Sequence, residues 1–219
     1  MKKKVLALTL GLTMALSLAA CGGNTGSSTS GSGAASGSGA DASTSGSGSS
    51  GDLITVGFAQ VGHESDWRTA STQSAQDVFS EENGYQLSFI DCDNDSATQL
   101  EAVRGFIQQG VDYIIIDPIV STGWDAVLTE CEDAGIPVIV IDRTIDDSDK
   151  YVTWVGSDFK TEGLACGEWL KAYAEAKGIT EINALVIEGS TGASATIGRT
   201  RGFNEVAKVQ RNWNILQQV

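Results

Sequence analysis

The chain reads as an α/β protein: a doubly wound parallel sheet with helices on both faces. Three observations predict this. From Leu53 onward, short β-rich runs alternate with helical stretches at short intervals. Runs such as Tyr113–Asp117 and Val138–Asp142 are apolar without interruption, as strands buried on both faces require. The helical stretches are bounded by cap and stop signals, so each returns the chain to the sheet after a few turns.

Taken in order, Ile54–Gln60 reads as the first strand. Trp67–Glu82 reads as a helix stopped by Asn83-Gly84, and Tyr85–Asp91 as the next strand. Ser96-Ala97-Thr98-Gln99 has the form of a capping box, opening a helix through Gln109 that Gly110 ends. Tyr113–Asp117 is an Ile-rich strand, followed by a helix from about Gly123 to Ala134. Gly135-Ile136-Pro137 turns into the strand Val138–Asp142. A strand at Tyr151–Gly156 precedes a helix from Phe159 to Ala176. Ile182–Glu188 is a strand, Ala193–Lys208 a helix, and Asn214–Gln218 the start of a last strand.

Ahead of this region the chain has a different texture. Lys2, Lys3 and Lys4 precede an almost wholly apolar run, Val5 to Ala20, which ends Leu18-Ala19-Ala20-Cys21. A positive start, an apolar middle shorter than a bilayer span and small residues before the cut describe an export signal. A Cys directly after them resembles the bacterial lipobox, in which that Cys receives lipid; the alternative is an ordinary signal with an incidental Cys. Several acyl chains on Cys21 would anchor the protein stably, at about 0.8 kcal/mol per buried methylene. Residues 22–51 are nearly all Gly, Ser, Ala and Thr, with Asp41 the one charge. Such a segment has nothing with which to build a core and reads as a flexible tether, with a root-mean-square reach of roughly 30 Å. The expected organisation is therefore a signal over 1–20, Cys21 and linker over 21–52, a first α/β lobe over 53–156, and the start of a second over 157–219.

The chain carries 14 basic and 28 acidic side chains, and loss of residues 1–20 would remove three of the bases and no acid. An excess of acid this large argues against nucleic acid as a partner and against a basic patch for anionic lipid. Apart from Cys21 there are Cys92, Cys131 and Cys166, with no CxxC spacing. Cys131 and Cys166 fall in helical stretches and are expected to pack in the core. One disulfide is possible outside the cell, with the pairing open.

In a sheet of this kind ligands bind beyond the carboxyl ends of the strands. The loop after the first strand, Val61-Gly62-His63-Glu64-Ser65-Asp66-Trp67-Arg68, places two carboxylates, a hydroxyl, an indole and a guanidinium together. A sugar needs that set: bidentate partners for hydroxyls and an aromatic plane for its C–H face. The same residues would also serve as a Ser/Asp N-cap with Trp67 packed on the sheet. Asp142 and Arg143 end the strand Val138–Asp142 as either a hydroxyl-binding pair or a surface ion pair. Asp117-Pro118 reads mainly as a turn whose Asp caps the following helix. Arg199 and Arg201 lie early in the helix after Gly189-Ser190-Thr191-Gly192 and read singly as solvated.

Other chemistries find little support. Asp91-Cys92-Asp93-Asn94-Asp95 imitates a calcium loop, but Ser96 and Ala102 stand where that loop needs Gly and Glu. The Gly189–Gly192 loop lacks the Lys of a P-loop. His63 is the only His, which leaves His-based metal sites and triads unsupported and reads as an exposed loop residue.

Together these residues resemble the periplasmic sugar-binding proteins of the ribose-binding type, receptors of ABC sugar importers, and among them the galactofuranose-binding kind. The likeness rests on Val56-Gly57-Phe58-Ala59-Gln60-Val61-Gly62 with Glu64-Ser65-Asp66-Trp67-Arg68, on Ala102-Val103-Arg104-Gly105-Phe106, and on Asp117-Pro118-Ile119-Val120-Ser121-Thr122-Gly123-Trp124. It continues through Ile136-Pro137-Val138-Ile139-Val140-Ile141-Asp142-Arg143 and Glu188-Gly189-Ser190-Thr191-Gly192-Ala193-Ser194-Ala195 with Arg199 and Gly202-Phe203. The resemblance implies two lobes closing on a sugar at a hinge. Glu64, Ser65, Asp66, Trp67 and Arg68 would line the first-lobe wall, Asp142 and Arg143 would bind hydroxyls, and Arg199 would reach in from the second lobe. Asp66 and His63 depart from the galactofuranose-binding kind, which has Gly and Ser there. No cofactor, metal or catalysis is implied. The implied partners are a sugar, a membrane ABC permease, and the membrane itself through the lipid anchor on the extracytoplasmic face, with the protein a monomer. A sugar sensor that signals to a kinase or chemoreceptor is the alternative, and a surface glycosidase or esterase a more distant one, since there is no GxSxG elbow. Such receptors run well past the point matching Val219, so the second lobe is expected to be incomplete and sugar binding by this chain weak or absent.

Overall fold

The structure, a computed structural model, describes residues 52–219; the export signal, Cys21 and the linker lie outside the described residues. Five parallel strands form the main sheet: β1 (Ile54–Gln60), β2 (Tyr85–Asp91), β3 (Tyr113–Ile116), β4 (Val138–Asp142) and β5 (Thr153–Gly156), in the order β2-β1-β3-β4-β5. The helices of this half are α1 (Asp66–Val78), α2 (Ser96–Gln109) and α3 (Asp125–Asp133). After β5 come α4 (Phe159–Lys177), β6 (Ile182–Val186), α5 (Ser194–Ala207) and β7 (Trp213–Gln218). β6 and β7 pair in parallel as a separate two-stranded sheet, with a register shift between Ala184 and Leu185.

The apolar runs fill two layers. On one side of the main sheet Ala59, Ile114, Ile116, Val138 and Val140 meet Val103 and Phe106 of α2 and Val127, Leu128 and Cys131 of α3. Gly57 is needed at this layer, because a Cβ there would drive into the Phe106 ring. On the other side Val56, Phe58 and Ile115 pack with Ala75 of α1 and with Phe79.

Several boundaries differ from the sequence reading, each for a local reason. The first helix stops at Val78, not Glu82: Phe79 turns in against Tyr85, ring centroids 5.3 Å apart, and Asn83 donates its side-chain amide to the carbonyls of Asp77 and Val78. Glu81–Asn83 then forms a separate 3-10 turn, closed by Gly84 at φ +87°. The cap of α2 is Asp95, not Ser96, its carboxylate accepting the Thr98 N–H at 2.6 Å. Gln99 plays no part in a capping box. Fully buried, it donates to the carbonyls of Ala59 (3.2 Å) and Asp117 (2.6 Å) and accepts from the Ile119 N–H (2.9 Å). It thus ties α2 to the ends of β1 and β3. The third helix begins at Asp125, because the Gly123 and Trp124 N–H groups are taken by the Asp147 carboxylate. β5 is shorter than expected and starts at Thr153; β6 ends at Val186.

Cys92 and Cys131 are buried and Cys166 is exposed on α4, against the expectation of core packing; all three are free thiols. Burial pushes the Cys92 thiol up to about 12 and the Cys131 thiol up to about 11, so neither is reactive.

Candidate sugar-binding site

β1 is flanked by β2 on one side and β3 on the other, so connections from its neighbourhood leave in opposite directions and open a crevice at the carboxyl ends. Ser65 caps α1 there, its hydroxyl accepting the Arg68 N–H at 3.3 Å. Gln60, fully buried at the end of β1, accepts from the Thr72 hydroxyl and donates to the Arg68 carbonyl at 3.3 Å. Cap and brace together fix the first turn of α1 and aim Arg68 inward.

Arg68 is only 4% exposed and is held by three carboxylates. Its Nε donates to Glu64 at 2.8 Å, its Nη2 to Asp142 at 2.7 Å, and its Nη1 to Asp117. Beside it, Arg143 donates to the Ile119 carbonyl at 3.1 Å and lies 3.7 Å from Glu64. Burial opposes charge on Glu64, Arg68, Arg143 and Asp117, and the outcome differs. Glu64 is pushed up by burial, but the Arg68 hydrogen bond and the two guanidinium charges outweigh this and hold it below the usual range. Arg68 loses to burial and gains more from Asp117, Glu64 and Asp142, ending above its ordinary value. Arg143, with fewer close partners, is lowered by burial. Asp117, with no exposure at all, is pushed up by burial to about 7 despite the Arg68 charge.

Asp142 sits at φ +56°, a left-handed conformation that β strands do not adopt. Its carbonyl accepts the Trp154 indole N–H at 3.2 Å, and Gly156 leaves room for it on β5. The kink turns the last residue of β4 toward Arg68.

Glu64, Ser65, Trp67, Arg68, Asp142, Arg143 and Arg199 line one cavity of about 340 Å³, with Ser157, Phe159 and Ala195. Trp67 is 59% exposed and stacks on the Arg68 guanidinium, 4.8 Å from its ring centroid. Arg199 comes from α5, lies 4.8 Å over the Phe159 ring, and donates its Nε to Glu162 at 2.8 Å. Asp66 does not line this cavity; it is an exposed residue in the first turn of α1. Asp117 departs from the expected helix cap, since it is buried against Arg68 and α3 begins eight residues later at Asp125. A signal was present: a carboxylate ending the strand beside β1. Gln60 and Gln99, the two buried amides that brace the site, carried no distinguishing sequence pattern. The Asp91 and Asp95 of the calcium-like run have other partners, His63 and the α2 N-terminus respectively.

Chemically, the cavity offers guanidinium donors, carboxylate acceptors and one exposed aromatic face in a space suited to a small polyhydroxylated ring.

The galactofuranose-binding protein YtfQ of Escherichia coli is 43% identical over 75% of this chain and 51% of its own length. A protein of Mycobacterium smegmatis solved in complex with β-D-fucofuranose superposes at TM-score 0.71 and 45% identity, over 76% of this chain and 55% of that one. The periplasmic binding component of the arabinose ABC transporter of Shewanella, bound to α- and β-L-arabinofuranose, superposes at 0.68 and 40% identity, over 75% of this chain and 54% of that one. The chain thus spans about half the length of the relatives it matches. The family model described as periplasmic binding protein domain matches residues 56–219, and the chain belongs to that family.

Proposed function

We propose that this chain carries the sugar-capturing wall of an ABC importer's receptor, and that its ligand is a monosaccharide in the furanose form. The observation that carries the reading is the convergence of Arg68, Arg143, Glu64 and Asp142 on one cavity beside the exposed Trp67 face. A furanose ring is small enough for that space and presents hydroxyls to the charged side and C–H groups to the indole. The similar proteins solved with fucofuranose and arabinofuranose, and the galactofuranose-binding relative, support the furanose form. The family is one of binding receptors, and the site performs no chemistry on its ligand. Delivery to a membrane permease, rather than signalling, follows the similar arabinose-binding protein, a component of an ABC transporter.

Calorimetric and NMR titration of the chain with methyl furanosides and pyranosides of galactose, fucose and arabinose tests the proposal. The expected result is weak but saturable binding of a furanoside, with Arg143→Ala weakening it further by at least tenfold because the group it contacted is left unpaired. Binding of pyranosides alone would remove the furanose assignment, and hydrolysis of a glycoside would end the receptor reading. The proposal extends to the anchor: Cys21 is acylated, holding the receptor near its permease. Cys21→Ala should then release the protein from membranes in a fractionation assay; unchanged membrane retention rules the anchor out.

A further inference from the structure

Among the described residues Asp117 is the one carboxylate of the cluster with a buried oxygen that no hydrogen bond satisfies. It has no solvent exposure and does not line the cavity. Its Oδ2 takes Arg68 Nη1, while Oδ1 has no hydrogen-bond partner. The charged and titratable groups that face it come from three elements: Glu64 and Arg68 from the start of α1, Asp142 and Arg143 from the end of β4, and the Cys92 thiol after β2. The Cys92 thiol stays protonated, and Gln99 of α2 meets Asp117 at its backbone carbonyl and not at its carboxyl. Three carboxyls therefore meet two guanidiniums. With all five ionised, the cluster holds one negative charge in excess, next to an oxygen that nothing solvates. A buried unmatched charge is costly, and a proton on the orphan oxygen removes it.

We infer that Asp117 is a positioning residue of the site: it anchors Arg68 and carries the proton that sets the net charge of the cluster, so that ligand capture and proton uptake are linked. The inference rests on the sugar-binding reading of the cavity. A neutral sugar that fills the cavity displaces water from Glu64, Arg68 and Asp142, and so raises the cost of the excess charge. The bound state then holds the Asp117 proton more tightly than the free state. By linkage, binding takes up a proton, and affinity strengthens as pH falls through the neutral range. Burial already pushes the carboxyl up to about 7 in the free protein.

Two measurements test this. Carboxyl 13C NMR on the unliganded chain should find Asp117 titrating between pH 6 and 8; titration below pH 5 overturns the inference whatever the fate of the sugar reading. Titration with methyl β-D-galactofuranoside should show affinity weakening by about three- to tenfold from pH 6 to pH 8. Asp117→Asn keeps an acceptor for Arg68 and should bind with the same affinity at both pH values, whereas Asp117→Ala should bind more weakly at both. A flat wild-type profile, or an unchanged slope in Asp117→Asn, overturns the linkage. If no sugar binds at any pH, the sugar reading falls and the linkage with it, while the carboxyl titration still reports whether Asp117 holds the proton.

Discussion

Arg68 draws three carboxylates around one guanidinium, and the fold supports this by bracing the first turn of α1 with Gln60 and Thr72 and by kinking β4 at Asp142. Glu64 and Asp142 keep access to solvent while Asp117 has none, so loss of Asp117 is the least screened of the three. The pH dependence of stability separates Asp117 from the other carboxylates. Glu64, Asp95, Asp112, Asp125 and Asp158 are held below their ordinary values, so their contribution is present above those values and lost as pH falls. Asp117 is raised from 3.8 to about 7, so the folded state binds its proton more tightly than the unfolded chain does. Its contribution is full below about pH 4 and is lost as pH rises through about 7, on the order of 4 kcal/mol at ~1.4 kcal/mol per pH unit. Urea denaturation of the wild type should thus give a midpoint that declines from pH 5 to 7, and Asp117→Asn should flatten this decline. Parallel profiles for the two proteins would exclude Asp117 as the source.

The elements are set by short local devices that act with the sheet. Asp95 caps α2 through the Thr98 N–H, with Ser96 already the first helical residue. Asp95→Ala should therefore destabilise by about 1 kcal/mol and Ser96→Ala by less than about 0.5, read as shifts in denaturation midpoint. The reverse ranking would return the cap to Ser96. Strand spans were legible because an apolar run ends where its chemistry changes: β1, β2 and β4 begin and end where the sequence pattern places them. Helix ends were less legible. The stop of α1 depends on Phe79 finding Tyr85, and the start of α3 on Asp147, 22 residues after Asp125. Partners that distant leave no mark on a local pattern.

Across the whole molecule the two sheets are covered unequally. The α1 side of the main sheet leaves a groove of about 620 Å³ along Phe58, Ile115, Ile139, Ile141 and Val155. A second apolar groove of about 540 Å³ runs along β6 between α4 and α5. Among the described residues β6 pairs only with β7, and Leu185 on β6 and Ile187 just beyond its end are 59% and 81% exposed. An open apolar strand edge is a template for association. Light scattering of the chain should show concentration-dependent self-association that Leu185→Lys with Ile187→Lys suppresses; a monodisperse wild type at high concentration would contradict this.

Alternation of strand and helix, the apolar strands and the Glu64–Arg68 and Asp142-Arg143 groups were all readable from residue order, because periodicity and local composition carry them. They suffice for the α/β class and for six residues that share the cavity, while Arg199, the seventh, reads singly as solvated. What residue order could not convey is the division of labour within that group. Arg68 and Asp117 lie 49 positions apart, and Arg68 and Asp142 74. Only when β3 and β4 stack beside β1 does Asp117 change from a plausible helix cap to a buried carboxyl with one orphan oxygen, because burial and pairing are properties of the packed neighbourhood and not of the residue that enters it.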